Sequence, residues 1–237
     1  MIILAFDGTA KAASVAVTDD EKLLALYTID NGLTQSELLL PMAENILKSL
    51  KLTFDDVKLL TTAVGPGSFT GVRIGVSLIK GIAFGRDIPC VAVSTLEELC
   101  ENIASLDGIL VPCMDARRGQ VYTATFDSNG ETATRLTPDR AISISELAEE
   151  LKAYPDRNIY ITGDGYEVAK KGLEDAGVKT ANTPQLLIAE NAYSCAMVAL
   201  KKYRAGEYTS DLSISPTYLR LPQAERERLE KEQNNTK

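Results

Sequence analysis

The chain has 237 residues, 45% hydrophobic and 24% charged, enough apolar material to bury the core of one large or two small domains. Its formal net charge is −8, which excludes strong free-standing nucleic-acid binding, since that needs a basic face to neutralise phosphates. It contains no histidine, which excludes His-ligated metals, Ser–His–Asp and Cys–His triads and imidazole bases.

In chain order, IILAFD (2–7), AASVAVT (12–18) and KLLALYTI (22–29) are predicted strands separated by short turns, hence an antiparallel meander. The opening apolar run is too short for a signal peptide and carries an acidic residue, Asp7. Thr34-Gln35-Ser36-Glu37 fits a capping box, and LLLPMAENILKSL continues as a helix with Pro41 inside it. VKLLTTAV (57–64) predicts a buried strand, followed by the loop GPGSFTG and a second helix. CVAV (90–93) is a short strand, and Ser94-Thr95-Leu96-Glu97 a second capping box opening a helix to about Ala104.

GILVPCMD (108–115) and QVYTATFD (120–127) predict a hairpin, and ETATRLT (131–137) a third strand. Helix, strand and helix follow at 145–154, 158–163 and 166–177, and a last helix at 189–206. The tail PQAERERLEKEQNNTK is charged and predicted to fray. No run approaches about 18 uninterrupted apolar residues, so no membrane span is expected. The four scattered cysteines (Cys90, Cys100, Cys113, Cys195) form no CxxC pair and read as reduced thiols of a cytoplasmic protein.

The order strand–strand–strand–helix–strand–helix thus occurs twice. Antiparallel strands followed by strand–helix alternation imply a mixed sheet flanked by helices, and its duplication implies the two-lobed actin-like ATPase (ribonuclease H-like) architecture. The expected divisions are residues 1–104 and 105–206 for the lobes, and 207–237 for a C-terminal segment and tail.

At about 100° per residue, the apolar residues of the first helix cover an arc of roughly 200°. The helix after GPGSFTG does the same, whereas a helix packed on one sheet needs about 100°. Either both helices are deeply buried in their own domain, or the surplus apolar stripes form a patch for a partner, such as a four-helix contact. Val76→Asp or Ile79→Glu is expected to break such a contact while leaving the fold intact.

The chemical candidates are sparse. GPGSFTG could cradle an anion through Gly65, Gly67, Ser68 and Thr70 at a helix start, or be a structural turn; it lacks the GK[ST] ending of a P-loop. Asp7 in FDGT could approach a metal-bound water or simply form an Asx turn. Arg117, in DARRGQVY, could meet an anion or be solvated at its bend. GDG (163–165) after a strand could approach a nucleotide or make a plain turn. Ser68 and Cys113 have no base nearby in sequence.

VGPGSFTGVRIGVSLIKGIA resembles the hallmark segment of the TsaB (YeaZ) family. ILAFDGTAKAASVAV, TQSELLLPMAENIL, DARRGQVYTATF, TGDG and PTYLR (216–220) resemble its other blocks, in order. The resemblance implies a non-catalytic scaffold or activating subunit for threonylcarbamoyladenosine formation beside the tRNA anticodon. It implies pairing with a larger catalytic paralogue, TsaD, and joining of a small ATPase, TsaE; a separate enzyme, TsaC, makes the donor. The same helices can form homodimers, and tRNA is met only through the complex. The helix residues matching the paralogue contact are Leu39, Ala43, Ile46 and Leu50 from the first and Val72, Val76, Ile79 and Ala83 from the second. The resemblance implies no intrinsic cofactor, with ATP or ADP and Mg held only in the assembled complex. Two positions depart from the pattern: Gln35 stands where the family often has His, and Asp7-Gly8-Thr9-Ala10 replaces a D-T-S-T type turn. The catalytic paralogue's HxxxH is absent. The bottom-up alternatives are an independent ATP-dependent enzyme or peptidase, and a tRNA-binding module.

Overall fold

A computed structural model describes residues 1–220. In the first lobe β1 (Ile2–Asp7), β2 (Ala13–Asp19) and β3 (Lys22–Ile29) form the meander, followed by α1 (Gln35–Ser49), β4 (Leu59–Ala63), α2 (Phe69–Ala83), β5 (Cys90–Val93) and α3 (Thr95–Ile103). The strand order is β3-β2-β1-β4-β5, with β1, β4 and β5 parallel. β1 is apolar along almost its whole length because both faces are covered. Leu4 and Phe6 enter the core beneath α1 and α2. Ile3 and Ala5 face the final helix, α6 (Ala192–Arg204).

The second lobe keeps the pattern of antiparallel strands followed by helix, strand and helix, but with five strands ahead of its first helix. β6 (Asp107–Asp115) is central, antiparallel to β7 (Gln120–Thr123) and β8 (Phe126–Asn129) and parallel to β11 (Ile159–Thr162). β9 (Ala133–Arg135) and β10 (Arg140–Ser143) pair outside them; α4 (Ile144–Leu151) and α5 (Tyr166–Asp175) complete the lobe. The single strand expected over 120–127 is broken at Ala124 and Thr125. There the Thr125 carbonyl accepts from the Leu136 and Thr137 amides, and its own N–H donates to Thr137 Oγ1 at 2.8 Å. β10 was not expected from the sequence. Among the described residues no helix is long and apolar enough to cross a membrane.

Local sequence explains the helix starts. At α1, Glu37 Oε2 accepts from the Thr34 amide at 2.9 Å, the reach-back that a capping box requires, and also from the Thr34 hydroxyl at 2.7 Å. Gln35 Nε2 donates to the Ala10 carbonyl at 2.9 Å, tying α1 to the β1–β2 turn. At α3 the expected box does not close. Ser94 caps alone, and Glu97 pairs with Lys202 and Arg135.

One expectation is corrected. α6 was assigned to the second lobe, yet its buried face (Ala192, Cys195, Ala196, Ala199) packs on the first lobe's sheet. The segment after it also returns to the first lobe. Thr209 pairs with Cys90, Ile214 is buried in the α1–α2 core, and the Thr217 amide donates to the Val64 carbonyl. The second lobe therefore ends before α6. The charged tail expected over 222–237 lies outside the described residues.

Candidate docking face and interlobe cleft

The residues matched to a partner contact are mostly core. Leu39, Ala43, Ile46, Val72, Val76, Ile79 and Ala83 are all buried, and Leu50 packs half-buried against them. Their wide arcs are consumed within the lobe, because α1 and α2 pack on the sheet and also on each other. Apart from Leu39, which also lines the groove between α1 and α2, and half-buried Leu50, these side chains are taken up by the core.

What stays uncovered lies at the edges of those arcs. Leu40 is 39% exposed, and Ile74 and Leu78, one turn apart on α2, are half-buried. With Leu39, Phe69 and four uncharged polar side chains they line a mainly apolar groove of about 570 Å³ between the two helices, in which Arg73 is the one charged side chain among the described residues. The residues matched by resemblance to the paralogue contact fall mostly at the core-facing side of each helix. The groove is built from the arc margins, next to the polar face.

A second concavity, of about 520 Å³, lies between the lobes, lined among others by Thr9, Ser68, Thr70, Asp115, Arg117 and Asp164. At the end of β1, Asp7 is 1% exposed. It accepts from Thr9 Oγ1 at 2.7 Å and the Thr9 amide at 3.3 Å, the Asx turn weighed from sequence. Burial pushes its carboxyl up to about 6, against the pull of those hydrogen bonds.

The glycine-rich loop is folded against the chain itself. Gly67 has φ +154, and a Cβ there would lie 2.5 Å from the Thr9 carbonyl oxygen. The Ser68 amide donates to that same oxygen at 2.7 Å, and Ser68 Oγ caps α2 by accepting from the Gly71 amide. Gly65 abuts the Thr217 carbonyl and its own carbonyl accepts from the Thr95 amide. Thr70 and Arg117 remain exposed at the cleft, and the Arg117 amide is held by Asp115 Oδ1 at 2.7 Å.

An actin-like architecture implies a nucleotide and its magnesium in this cleft, and the residues present do not fit them. The carboxylate at the end of β1 is buried on Thr9, the Ser68 amide is committed to the β1–β2 turn, and Thr217, Tyr218, Leu219 and Arg220 fill one wall.

Beneath the cleft, Glu98 is wholly buried, and among the described residues neither of its carboxyl oxygens has a hydrogen bond of ordinary geometry, with only the Cys195 thiol and the Asn191 backbone drawing on it weakly. Burial, with Asp7 and Glu190 nearby, pushes it well above the usual carboxylate range. Glu190 accepts from the Asp164 amide at 3.1 Å, and burial plus the charge of Asp7 pushes it up to about 8. A carboxyl that binds its proton more tightly folded than unfolded costs stability as pH rises between its two pKa values. For Glu190 that window runs from 4.5 to about 8. Glu190→Gln is therefore expected to match the parent near the lower end and to exceed it by several kcal/mol, with about 5 kcal/mol as the ceiling, at the upper end. Denaturant unfolding across the window checks this; parallel pH profiles would contradict it.

The cysteines are also protonated groups. All four are buried, and burial pushes Cys90 up to about 11 and Cys113 up to about 12, so neither presents a thiolate. Among the described residues no three Cys, Asp or Glu side chains converge as metal ligands.

Together the two lobes define an actin-like, ribonuclease H-like α/β protein that leaves an apolar groove open between α1 and α2. Comparison with known proteins agrees on the fold and specifies the family. The solved structure of YeaZ from Pseudomonas aeruginosa superposes with a TM-score of 0.75 at 22% identity, covering 92% of this chain and 99% of that one. The family model described as "TsaD: tRNA N6-adenosine threonylcarbamoyltransferase" matches residues 34–228. The tRNA threonylcarbamoyladenosine biosynthesis protein TsaB of Bacillus subtilis is 32% identical over 225 residues, 95% of this chain and 96% of that protein. The Escherichia coli protein of the same description is 29% identical over 229 residues, 93% and 95% of the two chains. A tRNA N6-adenosine threonylcarbamoyltransferase of Bacillus thuringiensis is 42% identical over 50 residues, 21% of this chain and 15% of that one. The chain belongs to the TsaB family, within the wider group that the TsaD model describes.

Proposed function

We propose that the chain acts in threonylcarbamoyladenosine formation on tRNA as a non-catalytic, activating subunit that docks its catalytic TsaD-type paralogue through the α1–α2 face. The observation that carries the docking reading is the groove of Leu40, Phe69, Ile74 and Leu78, apolar side chains left uncovered by the chain's own core. The non-catalytic part is supported by the chemistry on offer: no histidine in the sequence, raised thiols, and buried carboxyls held toward their neutral forms. Adenine nucleotide, magnesium, the TsaE-type ATPase and tRNA are engaged by the assembled complex, in the cytoplasm, rather than by this chain alone. A homodimer through the same groove is the resting form that the paralogue displaces.

A reconstituted modification assay tests this. The purified chain is expected to turn over neither ATP nor peptide, and its addition to the paralogue, the ATPase and the donor to switch on modification. ATP hydrolysis by the chain alone, abolished by Asp7→Ala, would instead make it an independent enzyme.

A further inference from the structure

The block PTYLR ends the described chain; its Thr217 ties it to the end of β4, and its Tyr218 reaches the start of α2. Its Tyr218 ring stacks on Phe69 with centroids 5.0 Å apart and an interplanar angle of 29°. Its hydroxyl accepts from Arg73 Nε at 2.8 Å. The Arg73 guanidinium lies 3.8 Å above the Phe69 centroid. Arg73 is thus gripped on its Nε edge and on one face, while Nη1 and Nη2 meet no carboxylate among the described residues.

A guanidinium fixed in this way has lost the rotamer freedom that normally opposes ion pairing. Its remaining two nitrogens form a fork matched to the two oxygens of a carboxylate. Among the described residues Arg73 is also the only charge lining the groove, in a chain whose net charge is −8. An acidic protein that sets one oriented cation among uncharged, mainly apolar side chains presents a specific, complementary surface rather than a general electrostatic one.

We propose that the occupant of the α1–α2 groove is a paralogue segment that is apolar except for one carboxylate, which seats bidentately on Arg73, and that Tyr218 and Phe69 are the positioning residues of that contact. This rests on the docking reading above and adds the chemistry of the partner. It also gives PTYLR a purpose: the chain returns from α6, crosses the first lobe and presents its tyrosine where the arginine must be steadied.

Binding of the full chain to the full-length paralogue, followed calorimetrically at low and high salt, tests both levels separately. Arg73→Gln is expected to weaken binding tenfold or more and to remove most of its salt dependence, with an unchanged melting curve, since Arg73 is exposed. Arg73→Lys keeps the charge without the fork and is expected to recover only part of the loss. Tyr218→Phe keeps the ring stack but frees Nε, and is expected to lose affinity several-fold while salt dependence remains. Parent-like affinity of Arg73→Gln, with Leu78→Asp still defective, would overturn the carboxylate proposal and leave the docking face standing. Parent-like affinity of Leu78→Asp would remove the docking face itself. Parent-like affinity of Tyr218→Phe would overturn the positioning role.

Discussion

Leu78→Asp is expected to weaken paralogue binding about 100-fold without altering the fold, whereas Ile79→Glu, at the next residue, is expected to leave no folded protein to test. The contrast follows from burial. Leu78 is half-buried on the groove wall, so a carboxylate there stays hydrated in the free chain and is desolvated only on docking. Loss of an apolar anchor at the centre of an interface costs about 2–3 kcal/mol, which is the stated factor. Ile79 is 0% exposed within the α1–α2–sheet core. A charge placed there has no partner and costs several kcal/mol, a large part of the stability of an ordinary domain. Val76→Asp, at 4% exposure, behaves as Ile79→Glu. Of the substitutions that sequence periodicity suggested, both therefore strike the core. Thermal melts beside binding isotherms separate the two outcomes.

Gly71→Ala is expected to destabilise the chain by about 2–4 kcal/mol, against the helix propensity that favours alanine by about 1 kcal/mol. A Cβ at Gly71 would lie 1.8 Å from the Gly8 carbonyl oxygen. That obstacle is backbone in the β1–β2 turn, pinned by Gln35 and Thr9, and it cannot swing aside as a side chain would. Gly81, further along the same helix, has nothing within 4 Å of its would-be Cβ. Gly81→Ala is expected to stabilise by roughly 0.5–1 kcal/mol. Opposite signs for one substitution in one helix, read by denaturant unfolding, would establish that the first glycines of α2 serve chain-to-chain approach. Equal stabilisation at both sites would contradict it.

The duplicated order of elements was legible because both lobes carry strong period-2 and period-3.6 patterns and unambiguous turn residues. The α1 cap was legible for the same local reason: Thr34 and Glu37 need only each other. The α3 cap was not, since Glu97 is drawn away by Lys202 from α6 and Arg135 from β9, partners remote in sequence. Nor could local patterns show that α6 crosses back to the first lobe, because an apolar helix face does not say which sheet it covers. The glycines of GPGSFTG read equally as an anion cradle or a turn. What separates the readings is the Thr9 carbonyl and the Thr217 backbone, brought there by tertiary folding. The groove was half legible: the width of the apolar arcs marked the correct pair of helices, but only packing reveals which margin stays uncovered.

Hydroxyl-radical footprinting of the chain alone and with its paralogue measures the docking claim most directly, since it reports side-chain exposure without substituting anything. Oxidation of Leu40, Phe69, Ile74 and Leu78 should fall sharply in the complex, while Val168 and Leu186 on the second lobe, 40% and 91% exposed, keep their free-state rates. Unchanged oxidation of the four groove residues in a complex shown to be formed would place the contact elsewhere and contradict the account.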